Sequence, residues 1–198
     1  MQMLRSGRTV PSLCDAAELS EEALDAFGDD VAPRTFLERL VAQEQFDDAI
    51  AFLAHALPRR EAVWWAWLCA RAAAGDKPAA SVMASLDATK TWIAEPTDAH
   101  RRAALDAAEI TGIGSPAGCA GLAAFLCGDT LGPAGAPAAP PGEFAAAKAI
   151  GGCINMAAVA DAKADIGARY REFVQKGLEL ADRTQLWTPD APAAPARG

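Results

Sequence analysis

Five prolines punctuate the middle of the chain at Pro33, Pro58, Pro78, Pro96 and Pro116, spaced by 25, 20, 18 and 20 residues, each followed by alanine-rich sequence. Proline has no N–H to give a helix interior, but at a helix's first turn that N–H would have no partner anyway. Spacing of this kind predicts serial helices with short connections. Alanine accounts for 49 of the 198 residues, close to half of the 52% apolar content, so that content speaks for helix more than for a massive core. Aromatics at 7% and few β-branched runs disfavour a sandwich or barrel. The expected class is all-α, with about eight or nine helices in helical-hairpin layers, either solenoid-like or an irregular bundle.

The pattern places the helices more closely. Ser20 caps a short segment ending at Gly28, and Phe36, Leu37, Leu40 and Val41 form the stripe of the next. Phe46, Ile50, Leu53 and Leu57 repeat at helical spacing, and the two segments meet near Glu44 as an αα-hairpin. Further helices are expected over 58–74, 78–94, 97–110, 116–127, 143–160 and 162–183, the last burying Ile166, Tyr170, Phe173, Val174 and Leu178. The stretch Gly112-Ile-Gly114-Ser-Pro-Ala-Gly118 is read as a helix stop and restart, because its spacing misses a dinucleotide fingerprint. Residues 128–142 hold four Pro and four Gly and form a loop. One domain is expected over 13–187, after a flexible stretch 1–12 and before a Pro/Ala-rich tail, 188–198, expected to be disordered.

Net charge is −8, which argues against nucleic-acid binding, and the charge is uneven. Residues 1–50 hold 11 acidic and four basic side chains, whereas 51–198 hold 15 and 14. Mean hydropathy of +0.07, without a run of about 18 apolar residues, predicts no membrane span. The five cysteines (Cys14, Cys69, Cys119, Cys127, Cys153) lack C-x-x-C spacing and read as buried thiols of a reduced compartment. No secretory pattern marks the N-terminus, so cytoplasm is the expected location.

Catalytic motifs are missing: neither His55 nor His100 stands in a nucleophile or zinc motif, and the adjacent carboxylate pairs point to different helix faces. No cofactor is expected. One concentrated feature remains, Pro58 to Trp67, where Arg59 and Arg60 precede Trp64, Trp65 and Trp67. Trp64, Trp67, Leu68 and Arg71 share one side of a helix, and the cluster reads first as the core of a helical layer, with Trp65, off that stripe, the candidate for an exposed or interface aromatic. The candidate partner- or ligand-binding residues are therefore Arg59, Arg60, Trp64 and Trp65, with Arg101 and Arg102 as a second cationic patch beside His100.

The segment Leu57-Pro58-Arg59-Arg60-Glu61-Ala62-Val63-Trp64-Trp65-Ala66 resembles an uncharacterised bacterial family whose members carry a proline-arginine-glutamate-tryptophan-tryptophan motif. Trp92 to Pro96, Arg101-Arg102-Ala103-Ala104, Ser115-Pro116-Ala117-Gly118 and Ala123 to Thr130 extend the likeness over roughly residues 10–185. The family resemblance implies an accessory role beside type VI secretion genes and supplies no catalytic residues. After Ser-Pro-Ala-Gly this chain has Cys119 and Ala120 where members carry a bulkier, Trp-containing helix. The function expected first is thus a non-enzymatic helical interaction protein, an adaptor, chaperone or accessory factor with a protein partner. One alternative is a small-ligand binder or enzyme built on Trp65, Arg60 and the 128–142 loop. The other is an immunity-type partner that meets a basic toxin through Asp29, Asp30, Asp47 and Asp48.

Overall fold

The computed structural model of the chain describes residue 4 and residues 7–27, 31–133 and 137–188. Within them lie ten α-helices and no β-strand: α1 (Val10–Ala17), α2 (Glu21–Phe27), α3 (Pro33–Ala42), α4 (Phe46–Ala56), α5 (Arg59–Ala73), α6 (Ala80–Ala94), α7 (Asp98–Thr111), α8 (Pro116–Leu126), α9 (Ala145–Val159) and α10 (Ile166–Arg183). The expected tail from 189 onward lies outside the described residues.

The prolines mark helix starts as expected. Pro33 and Pro116 open α3 and α8, Pro58 immediately precedes α5, and Pro78 and Pro96 stand just ahead of α6 and α7. Side-chain caps complete several starts: the Thr97, Ser115 and Asp165 oxygens accept from the N–H groups of His100, Gly118 and Ala168. Gly112, at φ 94°, ends α7 before Ser115 begins the next helix, as the stop-and-restart reading requires. Glu44, at φ 60°, makes the turn between α3 and α4.

The helix beyond the expected count is α1, which starts ahead of residue 13. Thr9 and Ser12 cap it reciprocally, each backbone N–H donating to the other's hydroxyl. Val10, Leu13 and Cys14 then fall on its buried side, and Leu4 is buried ahead of it. On α10, Phe173, Val174 and Leu178 are buried as expected, but Ile166 is exposed because it stands at the first position of the helix, before α10 meets its neighbours.

Between the two expected architectures, packing selects the irregular bundle. Consecutive helices α6 to α9 pack in sequence, as layers would, but α9 also lies on α4 and α5, and α10 lies on α4, α5 and α9. A solenoid holds each unit against its sequence neighbours alone. The α8 seam owes its closeness to small residues, for its buried side is Ala117 to Gly121 with Ala123 and Ala124. Among the described residues no helix is long and apolar enough to cross a membrane.

Candidate functional site

Helix α5 runs through the middle of the bundle, against α6, α8, α9 and α10. Its buried positions are Ala62, Val63, Trp65, Ala66, Cys69 and Ala70, so the inward stripe is set by small side chains at helical spacing. That seam carries Trp65 inward and turns Trp64 and Trp67 toward the surface, the reverse of the expected orientation. Trp65 is fully buried, and its Nε1–H donates to the Phe173 carbonyl of α10 at 2.7 Å. Gly177 admits the indole, because a Cβ there would lie 2.8 Å from Trp65 Cε2. The expectation of Trp65 as the exposed aromatic is therefore overturned: ring size was read as marking one face, whereas the close-packed face is the alanine one.

Trp64 and Trp67 stack with ring centroids 5.0 Å apart and planes 9° from parallel. Trp67 is fastened by its Nε1–H to the Leu86 carbonyl at 2.8 Å, and the Lys90 ammonium stands 5.7 Å from its ring centre. Trp64 is only partly buried, and its indole N–H has no partner among the described residues.

The arginines separate. Arg60 donates through Nε to the Ile93 carbonyl at 2.6 Å and through a guanidinium N–H to Ala94, a cation placed on the C-terminal carbonyls of α6. Arg59, one position earlier, is exposed and has no ion pair or hydrogen bond among the described residues. Arg60 and Trp65 are thus both occupied by internal hydrogen bonds.

Arg101 and Arg102 share the carboxylate of Asp98, which these hydrogen bonds hold below its ordinary pKa. Arg101 is almost wholly buried, donates to the Phe125 carbonyl at 2.9 Å and lies over the Phe125 ring at 4.6 Å. Arg102 donates to the Gly132 carbonyl at 2.8 Å. The pair clasps α7 to the end of α8 and the loop after it, beside a cavity of about 520 Å³ that Trp92, Cys127 and Thr130 also line. Replacing Arg101 by Gln is expected to cost about 2 kcal/mol, the scale of losing hydrogen bonds made by a charged group. Urea denaturation would measure it, and Arg101→Lys should recover little, since an ammonium cannot reproduce the planar fork.

A second cavity, of about 430 Å³, lies where the end of α4, the start of α5 and the start of α9 meet. Arg8, His55, Arg59 and Glu143 line it together with Phe144, Ile150 and Leu186. Sequence reading picked out Arg59 but missed this site, because Arg8 and Glu143 come to His55 and Arg59 from distant parts of the chain and share no motif with them.

All five cysteines are free thiols, and burial pushes each thiol up, to about 11 at Cys14 and about 12 at Cys127. In this environment they are held as unreactive SH groups. Some of the eleven acidic side chains of the first quarter are paired within the chain: Glu18 to Lys148, Glu38 to Arg34, Glu44 to Arg171, and Asp48 to Ser20. Asp29 and Asp30 lie outside the described residues.

A family model matches residues 36–181, about three quarters of the chain and everything from the body of α3 to the last turns of α10. The chain belongs to DUF6931, a family of unknown function. No curated protein and no solved structure matches it. For this DUF6931 chain the matched span contains the Trp64–Trp67 pair, the Arg101 clasp, His55 and Arg59, but not Arg8 or α1.

Proposed function

We propose that this DUF6931 protein is a helical interaction protein, an adaptor or assembly accessory that acts by holding another protein. The observation that carries the reading is the partly exposed Trp64, stacked on an anchored Trp67 and keeping an indole N–H free of any described partner. A tryptophan rooted in this way is rigid before binding, so it loses little freedom when a partner covers it. Lys90 and the Trp67 ring beside it favour a partner segment that presents an apolar side chain with a carbonyl or carboxylate acceptor. The family resemblance implies a type VI secretion component as that partner, in the cytoplasm.

Affinity purification of the full chain from its native host, with wild type and Trp64→Ser compared, tests the proposal. The expected result is recovery of a secretion component at near-stoichiometric level by wild type and about tenfold less by the variant, the effect of losing one anchoring aromatic. An unchanged melting temperature would show that the variant is folded. Equal recovery by both proteins, or recovery of no secretion component, would overturn the reading.

A further inference from the structure

The cavity between α4, α5 and α9 is lined by groups that the proposed protein contact does not use. Its charged neighbourhood leaves one cation over. Arg8 is paired with Glu143 at 2.7 Å, and Lys148, on the exposed side of α9, is paired with Glu18 at 2.8 Å. Arg59 remains unpaired among the described residues, so these five groups sum to a single positive charge in a protein of net −8. The larger cavity beside Arg101 and Arg102 has no such excess, because Asp98 and Asp129 balance its two arginines.

His55 adds a second observation. Its Nδ1–H donates to the Ala51 carbonyl at 2.7 Å, which leaves Nε2 as the lone-pair nitrogen, buried and without a hydrogen-bond partner. Burial holds His55 below its ordinary pKa; the hydrogen bond to the Ala51 carbonyl and the charge of Glu18 pull the other way, while the charges of Lys148 and Arg8 act with burial. A negative charge brought into the cavity would offset that and favour the imidazolium. Apart from Thr184, whose hydroxyl donates to the Leu180 and Ala181 carbonyls, the remaining side chains of the wall are apolar, with Leu57, Ile150, Leu186 and the Phe144 ring, whose centre lies 5.3 Å from His55's. At its far end α9 begins without a side-chain cap, and Ala146 and Ala147 of its first turn border the cavity.

We propose that this cavity binds a small organic monocarboxylate with an aromatic or aliphatic body. In this site the carboxylate meets Arg59 and the first-turn amides of Ala146 and Ala147 on α9, the body lies against Phe144, Ile150 and Leu186, and binding raises the affinity of His55 for a proton. A single negative charge matches the single excess cation, and the volume falls in the range of small-molecule sites. Binding must then tighten as pH falls through the His55 titration.

Titration of the full isotopically labelled chain with benzoate, followed by NMR, tests this, with benzyl alcohol supplying the ring without the charge and inorganic phosphate the charge without the ring. The expected result is saturable shifts at the Ala146 and Ala147 amides and the His55 ring, with a dissociation constant near about 1 mM. It should weaken about tenfold in Arg59→Gln, whose exposed side chain holds no other element in place, and tighten about threefold between pH 7.5 and pH 5.5, with the His55 titration moving upward. Benzyl alcohol or phosphate producing the same shifts would overturn the proposal, the first in favour of a merely apolar hollow and the second of an unspecific anion site. Equal benzoate binding by Arg59→Gln, or no shift at about 20 mM, would overturn it as well.

Discussion

Replacing Trp65 by alanine is expected to destabilise the fold by about 3–5 kcal/mol, the largest effect available from a single side chain here. The indole is fully buried, its N–H satisfies the Phe173 carbonyl, and its six-membered ring fits the hollow that Gly177 leaves in α10. Truncation removes the apolar area, opens a cavity between α5 and α10, and loses the hydrogen bond from Trp65 to the Phe173 carbonyl. Trp65→Phe separates these contributions: it keeps much of the packing and loses the hydrogen bond, so an intermediate loss of about 1–3 kcal/mol is expected from urea midpoints. Gly177→Ala should be costly in the native background, because its Cβ would meet the indole at 2.8 Å and Leu53 Cδ1 at 3.0 Å. In the Trp65→Ala background the same change should be nearly harmless. A double-mutant cycle showing additivity would contradict this interlock.

Gly121→Ala is the second large effect, expected at about 2–3 kcal/mol of destabilisation even though alanine is the better helix former. A Cβ at 121 would sit 2.7 Å from the Ala104 carbonyl oxygen and 2.9 Å from Ala108 Cβ, both on the facing helix α7. The first of these is backbone and cannot swing aside, so α7 and α8 must move apart. Gly151 on α9 provides the internal control, since its Cβ would meet Ile50 Cγ2 at an ordinary 3.9 Å. Gly151→Ala should stabilise by about 0.5–1 kcal/mol through helix propensity alone. Melting temperatures moving in opposite directions for the two substitutions are the expected outcome, and a shared direction would mean that the α7–α8 seam has slack.

Proline spacing and caps were enough to read nearly every helix start from the sequence, because those rules are local and each acts within one turn. The start at Val10 escaped because serine replaces the usual Glu or Gln as the answering group of the Thr9 cap. What the sequence did not show was which side of α5 faces inward. Three tryptophans within four positions drew the eye, yet the inward direction belongs to Ala62, Ala66, Cys69 and Ala70, where short side chains let α8 and α9 come close. Arg60 and Arg101 looked like available cations for a similar reason. Their acceptors are carbonyls at the ends of other helices, 33 and 24 residues away for Ile93 and Phe125, and no local pattern announces such a pairing. His55 became interesting only through its surroundings, since Arg8 and Phe144 reach it from distant parts of the chain.

The return of α9 and α10 onto α4 and α5 also governs the order in which the molecule can be assembled during synthesis. Until residues beyond 145 have emerged, the α5 seam has only α6 and α8 against it, and Trp65 has neither its carbonyl partner nor its glycine hollow. A nascent chain of the first 130 residues or so therefore presents the apolar flank of α4 and α5 to whatever is nearby, and its closing contacts come from the last quarter of the sequence. For this protein the hazardous interval of biogenesis is the time taken to translate the Pro/Gly-rich segment and the two helices that follow it.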